Sequence, residues 1–441
     1  MIRFAHIMAA GFAFALAMGG TVAAAEQAAE VTFTKDVAPI LQQRCEACHR
    51  EGQMAPMSLV TYEDVRPWAR AIRSKVVARE MPPWHIDKTV GIQEFANDIS
   101  LTDAQIATIA AWVDAGAPRG NPADLPAPVE WPTGDTWRLA GQMGGDPDLV
   151  IVSPPWTQPA EGQDQWYQPL VPTGLTGDRW VRGVEVRPSI EGRQIVHHAL
   201  ARLVQQEEPD DFTSAIDFSG RGAFLTEFAV GKNGDVFREN TGKLMKAGAA
   251  ISYDIHYHSV GEAITDQTEV GLWFYPEGFV PKYRVYAQVM GTRQSMQTFD
   301  LPPGEKTVHH AYIPLSLPAR IENYQPHMHV RGTAMSIEAI YPDGRVEMLS
   351  HVADFDFNWH VNYVYAENSA PVLPGGTVIK VTAWHDNTAS NPNNPDPEQW
   401  VGWGQRSYDD MYHAHVNVTY LTDEDYERII EERSGRTDDD Q

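Results

Sequence analysis

The chain has 441 residues, with 34 Lys and Arg against 59 Asp and Glu, for a net charge of −25. That acidic balance excludes a nucleic-acid binder, which needs dense Lys and Arg, and argues equally against docking on anionic lipid. Hydrophobic residues make up 43% of the chain, enough for two or three packed domains, and two cysteines are too few for a disulfide-stapled scaffold.

Residues 1–25 read as an export signal. Arg3 gives a positive start, residues 7–18 form an apolar run shorter than the ~20 residues a span needs, and Ala23-Ala24-Ala25 is a cleavage signal. The expected location is periplasmic or secreted, with no membrane span. Residues 31–117 are predicted to be mainly helical. Thr34 is the expected cap of a helix running towards Arg44, and Thr61 of another over 62–79. Thr102 caps a third, in which Ile106, Ile109, Ala110 and Val113 form an apolar stripe that Gly116 and Pro118 end. Residues 118–134 are rich in proline and read as a linker.

Beyond residue 145 the texture changes. Short β-branched and aromatic runs such as DLVIV, WVRGVEV, EVGLWFY, TVIKVTAW and HAHVNVTYL alternate with turn residues, which predicts antiparallel sandwiches. The expected division is one sandwich over 135–280, a second over 281–421, and an acidic tail over 422–441 forming a short helix with a frayed end.

Within the helical block, Cys45-Glu46-Ala47-Cys48-His49 is a C-x-x-C-H motif. Two thiols three residues apart can form thioethers to one haem, and the adjacent histidine then lies under the iron as an axial ligand. Met81, in the stiff Met81-Pro82-Pro83-Trp84 loop, is the expected sixth ligand, with His85 the alternative; Met54 and Met57 follow His49 too closely. The block resembles a small class I cytochrome c.

Thirteen of the 16 histidines lie after residue 190, several in pairs: His197-His198, His256-Tyr257-His258 and His327-Met328-His329. Residues i and i+2 of a strand share a face, so His327 and His329 can hold one ion, as can His256 and His258. His197 and His198 can do so only if their strand twists or bulges. Imidazole suits copper, zinc, iron or nickel, and a thioether in the set favours Cu(I).

The ordered set of an adjacent His pair, a single His in I-H-Y, a His-x-His pair and a terminal Met resembles the type II copper, ascorbate-dependent monooxygenases. Animal members of that family include peptidylglycine α-hydroxylating monooxygenase and dopamine β-monooxygenase, and bacterial fusions place such a module after a cytochrome c. The resemblance implies two jelly-roll-like domains with one copper each. The electron-transferring copper would use His197, His198 and His256, with His258 competing for the third place. The oxygen-binding, catalytic copper would use His327, His329 and Met411. The implied reaction puts one oxygen of O2 into a substrate C–H bond and the other into water. It needs two electrons per turnover, which one covalent haem, loaded by an external donor, would supply. The family's D-E-M segment is Asp409-Asp410-Met411 here, and its substrate-recognition residues have no counterpart, so the organic substrate stays open. His309-His310, His351, His360, His385, His413 and His415 read as structural. The competing reading is a non-oxygenating haem and copper protein for electron transfer or copper handling. The fold class expected is thus a small all-α cytochrome c domain followed by two antiparallel all-β sandwiches.

Overall fold

The computed structural model describes residues 31–51, 53, 55–131, 135–206, 222–229, 231, 232, 234–292 and 297–439. The signal segment 1–25 and Met54 lie outside them. Strands take 36% of the residues and helices 17%, and this corrects the expected architecture. The N-terminal region is not an all-α domain, and the β region is not two separate antiparallel sandwiches.

The N-terminal helices are short: α1 (Ala38–Arg44), α2 (Tyr62–Val65), α3 (Ala69–Val77) and α4 (Asp103–Asp114). The helix expected over 62–79 starts at Thr61 with a reciprocal capping box to Asp64, then breaks at Arg66–Trp68 into a 3-10 turn around Pro67. Proline lacks the amide that the α ladder needs there. Thr34 is no cap; the chain enters α1 through a wide turn over Phe33–Val37, and Thr34 Oγ1 is buried without a partner. Thr102 does cap α4, its side chain accepting from Gln105 N at 3.2 Å, worth ~1 kcal/mol. Phe33, Leu41, Ile109 and Trp112 pack as a small core between these helices.

Residues 82–100 have no helix and belong structurally to the β region. Ile86 bridges to Val352 and Phe95 to Tyr365. Trp84 and Ile86 are buried in the core of the second half, with the Trp84 and Tyr363 rings 4.7 Å apart. The apolar residues of this stretch find too little helical surface to cover them, so they add to the larger β core.

The main strands of the first half are β1 (Leu149–Val152), β2 (Arg179–Arg187), β3 (Val196–Val204), β4 (Ala223–Ala229), β5 (Thr241–Met245), β6 (Ala250–Tyr257) and β7 (Glu269–Phe274). Those of the second are β8 (Tyr283–Gly291), β9 (Lys306–Pro314), β10 (Ala319–Ile321), β11 (Asn323–Met328), β12 (Gly332–Ile340), β13 (Val346–Val352), β14 (Val372–Leu373), β15 (Val378–Asp386) and β16 (Tyr412–Tyr420). One large sheet runs β1-β7-β2-β5-β8-β16-β10-β14 and so crosses residue 280. The crossing is a parallel pair, Tyr283 opposite Thr241 and Arg284 opposite Gly242. Each half then covers its share of this sheet with a smaller one: β6, β3 and β4 in the first, β9-β15-β12-β13 in the second. The two β cores are separate, one around Val184, Ala199, Tyr253 and Leu272, the other around Tyr324, Ile337, Val381 and Ala414. Alternating apolar residues fill each core from both layers, as in a sandwich.

The acidic C-terminal segment forms α5 (Asp423–Asp439), longer than a short tail helix. It is held by a Lys282–Asp425 ion pair and by Arg433 Nη1 donating to Ala370 O at 2.8 Å. Among the described residues, no helix is long and apolar enough to cross a membrane.

Candidate metal centre

Strands β3 and β6 lie side by side with His198 directly opposite His256. The next pair joins Val196 to Tyr257, so His197 is an extra residue on β3 at a β-bulge. The bulge lets both neighbours in an adjacent His pair aim at one point, which a regular strand forbids. His197, His198 and His256 offer nitrogens that all lie within 4.8 Å of one another, the one group of three such donors among the described residues. The His197 and His198 Nδ1 atoms are 3.1 Å apart.

His256 is oriented from behind. Its Nε2–H donates to Asp164 Oδ2 at 2.9 Å, and Trp166 stacks on its ring at 4.5 Å. Nδ1 is left buried with no protein partner. A carboxylate on one ring nitrogen with the other free for an ion is the usual support of a metal-binding histidine. His258, the sequence alternative, is not in the group; its amide donates to Ile195 O at 2.9 Å.

His327 is on β11, opposite His413 on β16, and His329 follows the strand. Asp410, fully buried, fastens this end of the molecule. Its Oδ1 accepts from His329 N at 3.1 Å and Met411 N at 2.8 Å, and its Oδ2 from Arg331 N at 3.2 Å. Met328 pairs with Tyr412, so His329 and Met411 lie one residue beyond the last paired position. His329 Nδ1–H donates to Asp409 O at 3.2 Å, which leaves Nε2 for a ligand. Both methionines here are buried, Met328 inside the core of the second half.

The two histidine sets adjoin. Phe357 lies between them, its ring 5.4 Å from His197 and 5.9 Å from His329. His360, read from the sequence as structural, lies 4.7 Å ring to ring from His327 and 6.2 Å from His197. Burial pushes His197 and His360 down to about 4 and His413 and His415 to about 3, so these imidazoles are neutral at neutral pH, the form that binds metal. Among the described residues, four buried histidine nitrogens have no hydrogen-bond partner: His256 Nδ1, His360 Nε2, His385 Nδ1 and His415 Nδ1. Each such orphan costs about 1–3 kcal/mol, which is hard to reconcile with a purely structural role for all four. The donor set is nitrogen-rich and fits copper. His309 and His385 form a smaller group, with rings 5.5 Å apart and His385 Nε2 at 3.5 Å from Asp410 Oδ1. His351 sits apart, 3.6 Å from Asp87, and His310 meets Thr382 Oγ1 at 3.2 Å.

The C-x-x-C-H segment lies just after α1. The amides of Cys48 and His49 both donate to Cys45 O, forming one turn that puts the thiols on consecutive steps. Burial pushes the Cys45 thiol up to about 12, and Cys48 is exposed. His49 Nδ1–H donates to Met57 O at 3.2 Å, so Nε2 is free to act as an axial ligand. These three residues fit covalent haem. Met81 lines a cavity of about 570 Å3 with Arg79, Trp84 and Ile106, and none of Cys45, Cys48 and His49 lines it. His85 is half-buried, its amide taken by Tyr363 Oη.

No family model matches the chain, and no curated protein matches it. Among solved structures it is similar to the major capsid protein P2 from bacteriophage PM2, at 11% identity and a TM-score of 0.29, covering 62% of this chain and 96% of that one. An infectious bursal disease virus structure matches at 8% identity and TM-score 0.17 over 62% and 72% of the two chains, and a Bacillus subtilis oxalate decarboxylase at 8% and 0.13 over 68% and 86%. Overlaps this loose say nothing about what the chain does.

Proposed function

We propose that this chain is an exported copper monooxygenase that hydroxylates a C–H bond of an organic substrate with O2, receiving electrons through haem attached at Cys45 and Cys48. The observation that carries the reading is the convergence of His197, His198 and His256, from two strands and a bulge, on one point. When bound, copper supplies one-electron redox chemistry with dioxygen and haem supplies an electron store. The chain's own residues do the rest. Asp164 fixes which nitrogen of His256 faces the ion, and Asp409 O does the same for His329. Asp410 fastens the backbone that carries His329 and Met411. Burial keeps the imidazoles of His197, His198, His256 and His327 unprotonated.

Two measurements on copper-matured full-length protein test this. Metal analysis should give two coppers and one haem per chain. Turnover under 18O2 against a panel of organic substrates should place one labelled oxygen in a product alcohol. Two coppers with no oxygen uptake on any substrate would favour electron transfer or copper handling instead.

A further inference from the structure

We infer that Trp166 biases the first metal site towards its oxidised form by stacking on His256; this rests on the copper reading of His197, His198 and His256. Strand β6 lies between β3 and the short strand Gln165–Tyr167. His256 therefore has a direct partner on each side, His198 on one and Trp166 on the other. Directly opposed residues project from the same face of a sheet, so the side chains form one row in the order Trp166, His256, His198. The Trp166 and His256 rings are 4.5 Å apart and within 9° of parallel. His198 meets His256 from the other side, at 5.0 Å and 66°. The indole lies across His256 from His198 in that row, so it acts through His256 and is a positioning residue.

The face of an indole is electron-rich and attracts positive charge more strongly than that of any other side chain. An imidazole bound to an ion takes on part of the ion's charge, and more of it from Cu(II) than from Cu(I). A parallel indole face on that imidazole therefore favours Cu(II). The Asp164 carboxylate pulls the same way, with Oδ2 2.9 Å from His256 Nε2. The segment 164–166 thus holds one ring by its edge and by its face. Within the group itself the rings are steeply inclined, His197, His198 and His256 meeting one another at 60°, 66° and 71°. The other stacked contact on the group, Phe357 on His197, is longer at 5.4 Å and tilted by 24°. In the reaction proposed above, the first ion passes one electron to the second, Cu(I) becoming Cu(II) as the second ion gains the electron. A first site that favours Cu(II) drives that transfer.

The test compares full-length copper-matured wild type, Trp166→Leu and Trp166→Phe, with His256→Ala marking which signals belong to the first site. Cu(I) and Cu(II) affinities are read by chelator competition, and the potential by redox titration followed by the Cu(II) paramagnetic signal. Leucine keeps an apolar cover without a π face; phenylalanine keeps a weaker face. Trp166→Leu should lower the Cu(II) affinity about two- to fivefold more than the Cu(I) affinity. At 59 mV per tenfold for one electron, the potential of the first site then rises by about 20–40 mV. Trp166→Phe should shift it the same way by less, and carries the test if Trp166→Leu fails to fold. An unchanged ratio of the two affinities overturns the proposal, even if both fall together, because the indole then only covers or orients the ring. A lowered potential overturns it as well. A wild type that binds no copper at the three histidines defeats the copper reading itself, which is a different result.

Discussion

The two histidine sets gather their imidazoles by different construction. The first is built on a ladder: His198 and His256 are cross-strand partners, and one bulge brings His197 in. The second is built at a strand end, where Asp410 ties three backbone amides, and its neighbours His360, His413 and His415 crowd the ring of His327. A ladder fixes donor positions through many backbone bonds, and those bonds bring the first set together. A strand end fixes them through one buried carboxylate and a loop, so the second depends on few groups and has imidazoles to spare.

The largest expected effect breaks the first set alone. His256→Ala removes one of three nitrogens from a ladder that is otherwise intact, and copper should fall from two to one per chain with the fold retained. Loss of both coppers would mean that the sets are one centre and not two. Next, Met411→Ile should cost the second site ~10-fold or more in Cu(I) affinity, because a soft donor is replaced by none. X-ray absorption should lose its sulfur scatterer; if sulfur persists, Met328 becomes the candidate. A gentler contrast is Asp164→Asn, which keeps the shape but weakens the acceptor behind His256. A tenfold to hundredfold loss is expected at the first site only. The loss should lie near the lower end, because the Asp164 carboxylate is 43% exposed. An equal loss at the second site would show the two to be coupled through Phe357.

Acid sharpens the comparison least. In the metal-free protein His197 and His360 are held at about 4 and His413 and His415 at about 3, against an ordinary value near 6.5. Between those limits the unfolded chain binds more protons than the folded one. Stability is therefore full above about pH 6.5 and is lost as pH falls towards 3–4. Chemical denaturation of the metal-free protein between pH 7 and 4 should follow that direction, and copper should oppose it. A midpoint independent of pH would mean that these imidazoles take up protons in the folded state.

Much of this was legible from local pattern. The C-x-x-C-H turn, the Thr102 cap and the need for a bulge at His197-His198 all follow from spacing over a few residues. What was not legible lies far apart in the chain. Asp164 is 92 residues from the His256 it holds, and His360 is 33 from His327. Nothing in a run of residues distinguishes a ligand histidine from a structural one when its partner comes from another strand. The all-α N-terminal domain failed for a related reason. Trp84, Ile86 and Phe95 look like the apolar residues of a helical core, yet a larger apolar surface lies nearby in the β region.

The parallel join between β5 and β8 also bears on how the chain can be inherited and cut. Severing it near residue 280 bares two strand edges, each a row of unpaired amides and carbonyls that invites pairing with another chain. Neither half is then a safe fragment to express, and gene fission at that point would be punished by aggregation before any loss of chemistry was felt. The two halves are therefore expected to stay soluble only when expressed as one chain.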